Sequence, residues 1–517
     1  MMANKAEKKS EEKAAPPKEH REGVSEGVGK EEKPTPTDNL VVTQHSVRIG
    51  GKEIKYTVTA GTMILKEETP DREKESEGEK PRAQVFFVAY TKEGTGSKAA
   101  ERASALRNRP LTFSFNGGPG SSSVWLHLGV LGPRRVVLTD EGELPPPPFE
   151  LTDNQYSLLD ETDLVFIDPV STGYSRAVDG QKPKEWHEFR KDIESVGDFI
   201  RLYTTRYNRW LSPKFLIGES YGTTRAAGLS GYLQERHGLY LNGLMLISAV
   251  LDFTTISFNP NNELPFILFL PGYAATAWYH KKAGVGQSLR EFLKQVEDFA
   301  RGDYASALMK GDLLPVEERL KVVQELARFT GLSTDFIERT NLRVIDQHFF
   351  KELLRESGRT VGRLDSRFLG IDRLGVTETA EYDPLLTNVM GPYTAGFYEY
   401  VRAELKFESD LPYEILSEKV APWSYSVFEN QYLNVAETMR KAMTYNPHLK
   451  VFVANGYFDL GTPYFATEYT FSHIGLNQSL QKNVSMGYYE AGHMMYIHMP
   501  SLRKMKADLV KFIRSAI

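Results

Sequence analysis

The sequence predicts an α/β protein with a mostly parallel, doubly wound sheet and an inserted, mainly helical cap. Three observations carry that expectation. Strand-like runs alternate with helical spacing up to residue 251 and again from residue 430, as they must when helices cover both faces of one sheet. Between them, residues 252–429 lose the alternation and keep only helical spacing, which marks an insertion. Finally, the apolar run Phe215-Leu216-Ile217 passes into Gly218-Glu219-Ser220-Tyr221-Gly222 and then a helix-like segment, a G-x-S-x-G turn between strand and helix.

Length and composition agree with one large domain. A chain of 517 residues, 41% hydrophobic and 11% aromatic, can bury a sizeable core. Its net charge of −5 offers no basic excess for nucleic acid, and no apolar run is long enough to span a bilayer, so the expected partners are soluble molecules. Cysteine is absent, which excludes disulfides, thiolate catalysis and cysteine-ligated metal. The histidines show no H-E-x-x-H spacing, and no metal or cofactor is expected.

Taken in order, residues 1–39 are Lys, Glu, Pro, Gly, Ser and Ala with interleaved charges, the composition of a disordered linker. They hold no apolar run of signal-peptide type, so the expectation is a cytosolic protein or one whose export signal has been removed. The first part of the core, 40–251, opens with Val42–Ile49 and Glu53–Thr59 around Gly50-Gly51, an antiparallel hairpin. Lys66–Arg82 reads as a charged insert, and Ala83–Tyr90 and Pro110–Phe115 as strands. The second of these runs into Asn116-Gly117-Gly118-Pro119-Gly120-Ser121-Ser122-Ser123. That loop lacks both Gly-Lys-Ser/Thr and G-x-G-x-x-G, so an oxyanion-binding loop fits better than a phosphate cradle. Asp163–Asp168 is a strand, Trp186–Tyr207 a helix, Thr223–Glu235 a helix and Gly243–Val250 a strand. In the insert, Leu264–Trp278 is apolar but broken by Pro265 and Pro271-Gly272, which suits cap or core packing, while Leu289–Phe299 and Val316–Phe329 have helical spacing. Such a cap would wall a cleft above the strand ends. The second part of the core, 430–517, supplies a helix at Gln431–Thr444, strands at Lys450–Ala454 and Val484–Tyr489, and a helix at Ser501–Ile517.

The chemistry sits on the loops after the strands. In G-x-S-x-G the glycines make room for neighbouring backbone while the serine presents its Oγ at a helix N-terminus. Asp459 follows the strand at 450–454 and His493 follows the strand at 484–489, giving the order Ser220, Asp459, His493 found in α/β-hydrolases. Serine attacks, imidazole takes its proton, and the carboxylate fixes the tautomer. Asp168, also at a strand end, is the rival acid; chain order favours Asp459. His498 is the rival base; it lies near the final helix, whereas His493 follows Gly492 directly after a strand.

With NGGPGSSS at 116–123, DLVFIDPVSTGYS at 163–175, GESYG at 218–222, the Asp459 loop and Gly492-His493-Met494 assembled, the chain resembles the serine carboxypeptidases, the S10 peptidases, and especially their cysteine-free bacterial members. The resemblance covers residue 40 onward, most weakly in the cap. It implies an α/β-hydrolase fold and removal of single residues from a peptide with a free C-terminus. By position it implies Ser220, Asp459 and His493 as triad and the Gly118 and Tyr221 amides as oxyanion donors. Asn116, Gly117 and Glu219 then bind the substrate's terminal carboxylate. It also implies a periplasmic or secreted location, a cytoplasmic one being the alternative. Two positions depart from the pattern: Ser114 stands where a tryptophan is common, and Val130 where a glutamate is. Arg134 and Arg135 are the nearest cations in sequence that could compensate, the plainer reading being a solvated pair on a loop. The alternatives are an esterase or aminoacyl-ester hydrolase on the same fold, and a non-catalytic binding protein.

Overall fold

A computed structural model describes residues 35–69, 78–94 and 107–517. The expected linker up to residue 34, and the middle of the expected insert at 66–82, lie outside the described residues.

Nine strands form the main path of a ten-stranded sheet: β1 (Asn39–Ile49), β2 (Lys52–Thr69), β3 (Gly78–Lys92), β4 (Leu111–Phe115), β5 (Asp163–Ile167), β6 (Lys214–Glu219), β7 (Gly243–Ile247), β8 (Lys450–Gly456) and β9 (Val484–Tyr489). Their spatial order is β1-β2-β3-β5-β4-β6-β7-β8-β9, with Arg176–Ala177 pairing beside β3. The first four in that order pair antiparallel, and every pair from β5/β4 onward is parallel. Sequence explains the difference. β4, β5, β6 and β7 are buried at every residue, and the near-continuous apolar runs of β5, β6 and β7 suit strands covered on both faces. β1, at the edge, alternates exposed and sheltered positions. The Gly50-Gly51 turn joins β1 to β2 with Ile49 opposite Lys52, a two-residue hairpin. The β2–β3 ladder continues past a register shift at Leu65/Lys66 out to Thr69 opposite Gly78. Much of the stretch 66–82 is therefore strand, a correction to its reading as an insert; cross-strand pairing outweighs its charged composition.

Helices cover both faces. On one side α1 (Phe189–Arg206) and α2 (Tyr221–His237) join Leu216 and Leu244 in a shared apolar cluster. The insert contributes α3 (Leu264–Tyr279), α4 (Leu289–Phe299), α5 (Val316–Thr330) and α6 (Pro384–Glu399). α7 (Ala436–Tyr445) packs with α1 and α2, and α8 (Met499–Ser515) covers the opposite face. There Leu502, Met505, Leu509, Phe512 and Ile513 meet Phe215 and Ile217; each such side chain contributes about 1.5–3 kcal/mol by leaving water.

Helices α3, α4 and α5 share a third cluster that also takes in Tyr457, Phe458 and Leu460, so this part of the insert is seated on the loop that carries Asp459. α3 forms despite its prolines. Pro265 lies in the first turn, where its missing N–H costs nothing, and the burial of Leu268, Phe269, Leu270 and Tyr273 outweighs the bond lost at Pro271. α6 behaves differently: Leu385, Val389, Tyr393 and Phe397 belong to the sheet's own cluster with α8. The stretch from 384 onward thus packs as core, although the sequence groups it with 252–429. Among the described residues no helix is long and apolar enough to cross a membrane.

Candidate active site

The turn after β6 is tight because three backbones converge there. Ser220 has φ 59° and ψ −131°, a conformation that costs an L-residue roughly 1–3 kcal/mol. Its N–H donates to the Ile247 carbonyl at 3.0 Å, and its carbonyl accepts from Thr223 N at 2.8 Å and Thr223 Oγ1 at 2.7 Å. A Cβ on Gly218 would lie 2.1 Å from the Gly222 carbonyl oxygen, and one on Gly222 2.8 Å from that of Phe115. Only glycine fits at both positions. Ser220 stays partly exposed between buried neighbours.

The loops after β8 and β9 bring Asp459 and His493 together. His493 Nδ1 is 2.7 Å from Asp459 Oδ2. That carboxylate is buried and also accepts from Gly461 N at 2.8 Å, Thr462 N at 3.0 Å and Thr462 Oγ1 at 2.7 Å. Burial alone would lower the His493 pKa; the Asp459 charge and hydrogen bond outweigh it, and the pKa is raised. Three braces that the sequence reading missed hold the histidine. Ser248 Oγ donates to the His493 carbonyl at 2.7 Å, His493 N donates to the Leu364 carbonyl at 2.7 Å, and Gly492 N donates to Asp365 Oδ2 at 2.9 Å. Ile247 and Ser248 are consecutive, so the C-terminal end of β7 ties the serine turn and the histidine loop to one point.

The loop at 116–123 lies directly against the serine turn. A Cβ on Gly117 would be 2.4 Å from Tyr221 N and 2.7 Å from the Glu219 carbonyl oxygen. Tyr221 is the first residue of α2, so its N–H has no acceptor within the helix. Asn116 is buried; its Oδ1 accepts from Leu126 N at 3.1 Å and its carbonyl from Arg225 Nη1 at 2.6 Å. Arg225 is buried too, paired with Asp192 at 2.8 Å and stacked near the rings of Phe115 and Tyr221. The Asn116 Nδ2 has no hydrogen-bond partner, though it lies close enough to Glu219 to favour its anion. Glu219 Oε2 accepts from the Tyr496 hydroxyl at 2.7 Å. Burial raises the Glu219 pKa to about 7, against the opposing pull of His493, Tyr496 and Asn116. Ser114 is buried with its hydroxyl unpartnered, and Val130 is buried in the apolar cluster.

The rival residues have other partners. Asp168 Oδ1 accepts from Ser123 N at 2.8 Å, supporting the loop, and burial raises its pKa to about 7. His498 Nδ1 lies 2.8 Å from Ser501 Oγ at the start of α8. Arg134 and Arg135 sit on a short strand, Arg134–Val136, paired with Leu151–Asp153, not on a loop. Arg134 is committed to Asp153 at 2.7 Å and Glu404 at 2.8 Å, and Arg135 donates to the Val136 carbonyl at 3.2 Å. Between α3 and the loops after β8 and β9 lies a cavity of about 500 Å³ lined by Trp278, Tyr279, Arg367, Phe458, Glu490 and His498. Among the described residues no three His, Asp or Glu side chains converge to hold a metal ion.

A doubly wound sheet with a serine at the β6–α2 turn and acid and histidine loops after the last two strands defines an α/β-hydrolase. The chain belongs to the serine carboxypeptidase family, whose profile matches residues 78–498. Its relatives include the pheromone-processing carboxypeptidase KEX1 of Saccharomyces cerevisiae, 31% identical over 169 residues, which is 31% of this chain and 20% of the yeast protein. Serine carboxypeptidase-like 33 of Arabidopsis thaliana is 30% identical over 141 residues, 25% of this chain and 26% of the plant protein. These matches thus span a fifth to about a quarter of the relatives' lengths. The crystal structure of the Saccharomyces cerevisiae prohormone-processing carboxypeptidase superimposes with a TM-score of 0.52 at 16% identity, covering 89% of this chain and 91% of that one. That likeness speaks for the fold.

Proposed function

We propose that the protein is a serine carboxypeptidase that removes residues from the free C-terminus of peptides, with Ser220, His493 and Asp459 as its triad. Ser220 Oγ attacks the last peptide carbonyl as His493 Nε2 takes its proton. Asp459 holds Nδ1–H and stabilises the imidazolium. The Gly118 and Tyr221 amides receive the developing oxyanion. His493 then returns the proton to the departing amine, and water hydrolyses the acyl-enzyme by the reverse sequence. One observation favours an exopeptidase over a general esterase. Beside the nucleophile lie a buried amide donor without a partner, Asn116 Nδ2, and a buried carboxyl, Glu219, whose pKa near 7 lets it carry a proton. An acceptor carboxylate satisfies the first and accepts from the second.

Incubation with a free-acid peptide, its C-terminal amide and a simple ester, read by mass, tests the reading. A ladder shortened from the C-terminus, on the acid well ahead of the amide, is expected. Hydrolysis of the ester alone would replace the reading with an esterase, and inertness with a binding protein. An exported location belongs to the same proposal and is supported by the family alone; fractionation showing only a cytosolic pool would set it aside.

A further inference from the structure

Glu219 has two carboxyl oxygens, and the structure treats them differently. Oε2 accepts from the Tyr496 hydroxyl at 2.7 Å. Tyr496 sits in the helical turn Met495–Ile497, three residues after His493, so the histidine loop itself carries the phenol to the end of β6. The ring is fully buried and wedged against Gly129, where a Cβ would stand 2.4 Å from its Cε2 and 2.7 Å from the Tyr393 hydroxyl. That contact is next to Val130, which presents an apolar side chain where the resemblance expects a carboxylate.

We infer that Tyr496 is the positioning residue of the terminal-carboxylate site: by donating to Oε2 of Glu219 it confines the carboxyl proton to Oε1, the oxygen left for the substrate. This rests on the carboxypeptidase reading and deepens it. A phenol that donates to Oε2 disfavours a second proton there, so protonated Glu219 has one oriented O–H instead of two equivalent sites. The substrate carboxylate then takes that O–H and the unpartnered Asn116 amide. The groups that face Glu219 are His493, Tyr496, Asn116, Asp459 and, on α6, Tyr393. Among the described residues no lysine or arginine pairs with it. Deprotonation therefore leaves two carboxylates facing each other, and KM for free-acid peptides should rise with pH.

Tyr496 stabilises the Glu219 anion, so Tyr496→Phe should raise the Glu219 pKa and move the midpoint of the KM rise upward by about one pH unit. Replacing Tyr496 by 3-fluorotyrosine makes the phenol a stronger donor and should move the midpoint down; this near-isosteric variant serves if Tyr496→Phe does not fold. In a Glu219→Gln background both shifts should vanish. Tyr496→Phe and 3-fluorotyrosine variants whose KM profiles for free-acid peptides superimpose on the parent's, or shift equally for C-terminal amides, would overturn the inference while leaving carboxypeptidase action intact. A parent that cleaves acids and amides equally well would remove both.

Discussion

Replacing Asp459 by asparagine exchanges one buried oxygen for an amide nitrogen and leaves the volume almost unchanged. The consequences can be read from the four donors the carboxylate receives. Gly461 N and Thr462 N both point to Oδ1, which an asparagine retains, so the loop keeps its shape. Thr462 Oγ1 points to Oδ2, and a hydroxyl can rotate to accept from Nδ2 instead. His493 Nδ1–H has no such freedom: it would meet an N–H head-on at 2.7 Å. The ring escapes by moving its proton to Nε2, where it can no longer take the proton of Ser220. Loss of the correct tautomer in such triads lowers kcat by about 10⁴, about 5.4 kcal/mol of transition-state stabilisation. Asp459→Asn should therefore show kcat reduced by that order on peptide and ester alike, with a thermal transition close to the parent's. The assay is steady-state hydrolysis with melting followed in parallel. A kcat within tenfold of the parent would refute the tautomer argument and return Asp168 to consideration as the acid.

Gly117→Ala places a methyl group 2.4 Å from Tyr221 N, so the oxyanion loop must lift off the serine turn. Loss of one oxyanion donor predicts kcat down about 10²–10³-fold, and an alanine variant with parental kcat would show that Gly118 does not serve there. Asp168 titrates at about 7 in the folded protein against 3.8 when unperturbed, so the native state binds its proton more tightly. Stability should then fall as pH climbs between those values and be flat above them; Asp168→Asn, which cannot titrate, should lose that slope in melting temperature, and equal slopes would contradict the assignment.

The sheet and the serine turn were legible because their signals are local. Continuous apolar runs such as Phe215-Leu216-Ile217 mean a strand buried on both faces, and the spacing of Gly218 and Gly222 around Ser220 is dictated by backbone atoms within a few residues. The pairing of Asp459 with His493 was legible through the order of loops. What the sequence hid depends on long-range contact. Ser248, Leu364 and Asp365 brace the histidine from other elements, and nothing about each residue in isolation announces it. α6 was missed because Gly391, Pro392 and Gly396 interrupt its apolar spacing, although burial of Tyr393 and Phe397 stabilises it as helix. Tyr496 carries no local signal, because its partner, Glu219, lies 277 positions away.

The proposed carboxypeptidase activity depends on Ser220 being a nucleophile activated by His493 within this turn. A fluorophosphonate reports it directly, because the reagent bonds covalently to an activated serine. Intact-mass analysis of the treated protein should show one adduct, peptide mapping should place it on Ser220, and it should be absent from Ser220→Ala and severely reduced in His493→Ala. An adduct on another serine, or one that persists undiminished in His493→Ala, would contradict Ser220 as the activated nucleophile.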